Sequence, residues 1–218
     1  VRLFDLDHAA AARNARLGNR LAQAHGRDLR FAVCPDLASV LAGADFVVIS
    51  ILPGSFDDME QDIGLPAGRG IAQSVGDTVG PGGFLRAMRA IPQIAAIGTA
   101  IGRHCPEAYV CNLTNPMSVL TGALYAAFPQ IKAWGECHEV TKLRHIIAWI
   151  ANCSEGTTRY DFRDVAVNVL GINHFTFVDR AFVGGRDWLP DYLAFARAHR
   201  DSGWRATPLD QGDEWARL

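Results

Sequence analysis

Val1-Arg-Leu-Phe-Asp5 opens the chain as a short apolar run that ends in a carboxylate and leads directly into the alanine-rich stretch His8 to His25. That is the form of a strand, its acidic tip and a crossover helix. Working outward, Leu29 to Cys34, Phe46 to Ser50, Tyr109 to Leu113 and Ile131 to Trp134 read as further strands. Between them, Asp36 to Ala42, Phe84 to His104, Met117 to Phe128 and Glu139 to Ile150 carry apolar residues at helical spacing. The alternation predicts an α/β fold, a Rossmann-like doubly wound parallel sheet with helices on both faces. In such a fold the acid-ended strand is the second one, preceded by a strand and a GxGxxG turn. Here nothing precedes Val1, so the reading expects a sheet lacking its first strand, with residues missing upstream. From Val165 the texture changes: Val165 to Leu170 and Phe175 to Val178 are denser in β-branched and aromatic residues, and a final helix is expected near Trp188 to His199. The expected division is therefore a dinucleotide-binding domain over 1–152 and the start of a mixed α+β subdomain over 153–218, cut short in the polar, helix-like stretch Glu214 to Leu218.

Bulk properties narrow the partners. At 218 residues, 49% hydrophobic and 20% charged, the chain can bury a proper core. Its net charge of -2 is spread through interspersed acids and bases, which gives no basic face for nucleic acid or an anionic membrane. Apolar runs such as Phe46 to Ile51 stop far short of the ~20 residues that span a bilayer. With no charged leader and apolar core at its start, the chain is expected to be cytoplasmic and to act on a small molecule. Five widely spaced cysteines, Cys34, Cys105, Cys111, Cys137 and Cys153, contain no CxxC pair and argue against a disulfide framework or a structural zinc site.

Several residues fall where open α/β sheets bind ligands, at the carboxyl edge of the strands. Asp5 at a strand tip could accept both ribose hydroxyls of NAD, or could join Asp7 in capping the following helix. Ser50 closes another strand and is placed with Asp5 as a cofactor contact. Asn115-Pro116 follows Tyr109 to Leu113; the asparagine can donate and accept at once toward a hydroxyl or a nicotinamide ribose, or can simply punctuate a turn. Cys137-His138 follows Ile131 to Trp134, and a thiolate beside an imidazole suits a transition metal, although a buried thiol and a capping histidine form the ordinary alternative. Gly171-Ile-Asn-His-Phe175 interrupts two apolar segments with a polar pair, making Asn173 and His174 candidates for substrate and metal contact. Val75-Gly-Asp-Thr-Val-Gly-Pro-Gly-Gly83 holds four glycines and one proline in nine residues, so a tight loop presenting Asp77 and Thr78 is expected there, with Asp77 suited to acid–base work.

In this order the motifs form a known pattern. Gly76-Asp-Thr-Val-Gly-Pro-Gly-Gly83 with Arg86 and Ile91-Pro92, then Thr114-Asn-Pro116, Gly135-Glu-Cys-His-Glu-Val140 and Gly171-Ile-Asn-His174 closely resemble the family 4 glycoside hydrolases, from Asp5 to beyond His174. The resemblance implies NAD and a divalent metal, usually manganese, held by Cys137 and His174. It further implies Asn115 as a substrate contact, His138 as proton donor and Asp77 as a carboxylate that tunes the base, which is typically a tyrosine lying beyond Leu218. The implied chemistry departs from the two-carboxylate route of most glycosidases. NAD takes hydride from C3 of the sugar, the C2 proton becomes acidic, the aglycone is eliminated, and water and hydride then return. Cys137-His138-Glu139-Val140 resembles the branch acting on unphosphorylated α-glycosides, and α-galacturonides in particular. Homodimers or homotetramers are common in the family. The rival reading is a lactate- or malate-type NAD-dependent 2-hydroxyacid dehydrogenase, which shares the sheet order and the Asn-Pro turn.

Overall fold

The structure is a computed structural model describing residues 1–73 and 76–203. Two compact units divide it, Val1–Glu136 and Cys137–Leu218. The stretch Glu214 to Leu218, expected to be helical, lies outside the described residues.

The first unit is parallel α/β. Its strands are β1 (Arg2–Leu3), β2 (Ala32–Val33), β3 (Phe46–Ile49), β4 (Tyr109–Asn112) and β5 (Lys132–Gly135). Its helices are α1 (His8–Ala24), α2 (Leu37–Leu41), α3 (Phe56–Ala67), α4 (Gly80–His104) and α5 (Met117–Ala127). Strands β1 and β2 pair parallel as one sheet, and β3-β4-β5 pair parallel in that order as another. After the exposed Tyr109, β4 is buried because both its edges are paired and it shares a core with Ile94 and Ile101 of α4 and Leu120 and Leu124 of α5, all fully buried. Register aligns Ile49, Asn112 and Gly135, so the three strands end level and the loops that follow them emerge from one edge.

Helix caps follow the local chemistry. Asp7 and Asp36 accept the first free amides of α1 and α2, and Ser55 with Asp58 forms a reciprocal capping box on α3. No strand or helix was anticipated over Phe56–Ala67. Its only buried residues are Asp62 and Pro66, so no apolar stripe marks it in the sequence. The glycine-rich stretch differs from expectation in the opposite sense. Gly80-Pro-Gly-Gly83 is not loop but the first turn of α4. Proline suits that position because its missing N–H has no helical partner there, and the glycines allow close packing. A Cβ on Gly82 would stand 2.6 Å from the Asp62 carbonyl oxygen, and one on Gly83 would stand 2.5 Å from the Thr78 carbonyl carbon.

The second unit is α+β. A 17-residue helix, α6 (Glu139–Glu155), a 3-10 turn at Phe162–Asp164, an antiparallel sheet ordered β6 (Ala166–Ile172), β7 (Phe175–Val183) and β8 (Arg186–Asp187), and α7 (Leu189–Ala198) make it up. Its core gathers Ile147, Ala151, Val165, Ala181, Val183 and Trp188. The division expected between 152 and 153 falls inside α6. Because the apolar face of α6 packs on Val165, Ala181 and Val183, the whole helix belongs to the second unit. Among the described residues no helix is long and apolar enough to cross a membrane.

Candidate active site

In the second unit the turn between β6 and β7 consists of two residues, Asn173 and His174, with Ile172 opposite Phe175. His174 takes a left-handed backbone conformation, φ 61°, the one non-glycine residue among those described to do so. Such a conformation costs on the order of 1–3 kcal/mol for a residue with a Cβ. It delivers the imidazole to Cys137: Sγ and Nε2 lie 3.4 Å apart. Both side chains are half-buried.

A donor pair at this spacing fits a shared cation. A thiolate with an imidazole is a donor set for a transition metal, and Cys137 and His174 would be the residues to hold one. No group of three or more His, Cys, Asp or Glu gathers among the described residues.

Glu139, unremarked in the sequence except as part of its motif, is the first residue of α6. Its Oε2 accepts from the backbone N–H of His174 at 3.2 Å and from the Thr176 hydroxyl at 3.0 Å. A glutamate in a first helical turn reads in sequence as a complement to the helix dipole, which hides any longer-range role. His138 is exposed at the N-cap of α6, and its side chain makes no capping hydrogen bond. Asn173 is half-buried beside His174 in the turn.

The first unit carries a separate polar network at the strand ends. Asp77 receives the Thr78 hydroxyl on Oδ1 at 2.9 Å and the Asn115 side-chain amide on Oδ2 at 3.0 Å. Asn115 also accepts from the Met117 N–H at 3.3 Å, and its backbone carbonyl accepts from Nε of the buried Arg86 at 3.2 Å. Turn chemistry and the contact with Asp77 are therefore both present at Asn115. Behind it, the fully buried Asn112 accepts from the Thr114 N–H at 3.0 Å and donates to the Thr114 carbonyl at 3.2 Å. Thr114 in turn accepts from the Ile51 N–H at 3.0 Å, lacing the end of β3 to the end of β4. Asn112 was missed, yet a polar residue inside Tyr109-Val-Cys-Asn112 was a usable signal, since burial there requires partners. Gln73 shapes the approach to α4, donating to the Val79 carbonyl at 2.9 Å and accepting from the Gly82 N–H at 3.1 Å.

Asp5 is exposed just past β1, where Oδ1 accepts from the Asp7 N–H at 2.8 Å. Asp7, not Asp5, caps α1. An exposed carboxylate at a parallel strand tip retains the chemistry to receive ribose hydroxyls. Ser50 is exposed directly after β3. All five cysteines are free thiols, and burial pushes the thiols of Cys105 and Cys111 up from their ordinary value.

Comparison with known proteins identifies the lineage. The description "Family 4 glycosyl hydrolase" matches residues 1–153. An alpha-galacturonidase of Thermoanaerobacterium saccharolyticum is 44% identical over 218 residues, covering 99% of this chain and 46% of that protein. The crystal structure of lplD from Bacillus subtilis superposes with a TM-score of 0.87 at 44% identity, covering 100% of this chain and 49% of that one. The 6-phospho-beta glucosidase of Thermotoga maritima, solved with manganese, NAD+ and glucose-6-phosphate, shares the fold at a TM-score of 0.76 and 23% identity, over 91% of this chain and 45% of that one. The chain thus spans about half the length of the relatives it matches. On the extent of the family match and the identity to its relatives, the chain belongs to the family 4 glycosyl hydrolases.

Proposed function

We propose that the protein is a glycosidase that works with NAD and a divalent metal, manganese foremost, on unphosphorylated α-glycosides, with an α-galacturonide as the preferred substrate. The observation that carries this reading is the 3.4 Å approach of Cys137 Sγ and His174 Nε2 in the turn between β6 and β7. When bound, NAD supplies a reversible acceptor for the C3 hydride and the metal supplies a Lewis acid for the sugar's C2 and C3 oxygens.

The chain's own residues have distinct tasks in this scheme. Cys137 and His174 would hold the cation through a thiolate and an imidazole. His138, exposed at the start of α6, gives a proton to the leaving aglycone oxygen. Asp77 fixes the Asn115 amide, and Asn115 offers its polar groups to a sugar hydroxyl or the nicotinamide ribose. Asp5 and Ser50, at the ends of β1 and β3, serve the cofactor, and Asn173 serves the substrate beside His174. The galacturonide preference is supported by the Cys137-His138-Glu139-Val140 motif and by the 44% identity to an alpha-galacturonidase over 99% of this chain. We further infer a cytoplasmic homodimer or homotetramer that binds neither nucleic acid nor membrane; light scattering and fractionation test those points.

A panel of nitrophenyl α-glycosides, 6-phospho glycosides and galacturonate oligomers, assayed with NAD and manganese, tests the reading. Turnover of galacturonides that stops with a chelator and leaves no net NADH is the expected result. Turnover of 6-phospho substrates alone rejects the substrate class. Metal-independent accumulation of NADH with a 2-hydroxyacid would instead favour the dehydrogenase alternative.

A further inference from the structure

His174 reaches Cys137 from a backbone conformation that residues with a Cβ rarely adopt, so the turn must be fastened from outside. Glu139 supplies the fastening. One carboxylate oxygen, Oε2, takes the His174 N–H at 3.2 Å and the Thr176 hydroxyl at 3.0 Å, which grips both ends of the segment His174 to Thr176. The Thr176 hydroxyl also lies 3.1 Å from the Ile172 carbonyl, and its single proton can serve one of these two acceptors at a time. Glu139 stands two residues after Cys137, at the head of α6, and therefore ties the backbone that carries the sulfur donor to the backbone that carries the nitrogen donor. Both hydrogen bonds to the Glu139 carboxylate are half-buried.

We propose that Glu139 is a positioning residue for the metal site: its carboxylate holds the His174 turn at the spacing from Cys137 that a shared cation needs, and it acts neither as a ligand nor as an acid. The proposal rests on the metal reading above. Groups that orient metal ligands typically change metal affinity about 10- to 100-fold when removed.

Manganese titration calorimetry on the protein and on Glu139→Gln, Glu139→Asp and Glu139→Ala tests it, alongside hydrogen exchange at the His174 amide without metal. Glutamine keeps an oxygen at the same reach and is expected to bind manganese within about threefold of the unsubstituted protein, well inside the range for lost support. Aspartate keeps the charge at the helix start but is shorter by one methylene, roughly 1.5 Å. Aspartate and alanine are both expected to weaken binding about 10- to 100-fold and to release the His174 amide to exchange. If alanine prevents folding, the contrast between glutamine and aspartate decides. Unchanged affinity and unchanged exchange in the aspartate variant overturn the proposal, as does a glutamine variant as weak as aspartate. Should the unsubstituted protein bind no manganese while the aspartate variant still frees the His174 amide, the metal reading falls and the grip of Glu139 on the turn stands.

Discussion

The Asn115 side-chain amide donates to the Asp77 carboxylate at 3.0 Å, joining residues 38 positions apart in the chain. The same side chain accepts from the Met117 N–H, so the amide at 115 uses both its donor and its acceptor. Asn115→Asp sets two carboxylates at hydrogen-bond distance in a half-buried site, where both cannot stay ionised cheaply. At neutral pH the variant is expected to lose on the order of 1–3 kcal/mol in urea unfolding. A variant as stable as its parent would remove the pair from the network.

Thiol labelling separates the cysteines. Burial raises Cys105 and Cys111, which are expected to resist iodoacetamide at neutral pH, while the exposed Cys153 reacts first. Cys137, half-buried beside His174, is expected to react in metal-free protein and to be shielded by manganese, with EDTA restoring the rate. Labelling of Cys137 that ignores saturating manganese, read by peptide mass spectrometry, would remove it as a ligand.

The first turn of α4 tolerates no side chain at 82. In Gly82→Ala the new methyl would stand 2.6 Å from the Asp62 carbonyl oxygen and 2.9 Å from the Gln73 side-chain oxygen. The expected loss is about 1–3 kcal/mol in chemical unfolding. Gly122→Ala is the control, because nothing lies within 4 Å of its added Cβ in α5; there the expectation is a gain of about 0.4–1 kcal/mol.

Acid sensitivity of α3 follows from its capping box. The Ser55 backbone amide and then its hydroxyl hold the Asp58 carboxyl below its ordinary 3.8. A lowered native value means that the associated stability is present above pH 3.8 and is lost as pH falls through the native value. Asp58→Ala, which removes the carboxylate that both groups hold, is expected to lower the thermal midpoint above pH 3.8, with the gap to the parent shrinking in stronger acid. A gap of constant size at every pH would contradict this.

Much of the architecture was legible because buried strands and amphipathic helices repeat with their own periods. β3, β4, β5 and α5 lie within a residue or two of their expected bounds. Where burial was slight, as in α3, or where a two-residue strand followed Gly184-Gly185, as in β8, period gave no signal. Cys137 and His174 were each legible as a candidate ligand, while their assignment to one shared metal came through resemblance. Cys137 and His174 are 37 residues apart, and no local spacing rule brings them together. Asp77 and Asn115 were visible singly, as a carboxylate in a glycine-rich stretch and an asparagine before proline, while their mutual hydrogen bond depends on how two strand ends are laced by Asn112 and Thr114. Glu139 was hidden by its ordinary place in a helix.

The left-handed backbone at His174 also sets thermal endurance against usefulness at one codon. Glycine or asparagine would sit there with less strain than an imidazole-bearing residue, so a library randomised at 174 and sorted only for heat resistance should enrich those two. The survivors would be sturdier proteins with no nitrogen donor facing Cys137. Selection that retains histidine at this position would then be a record of chemistry, written in a conformation that folding alone would have discarded.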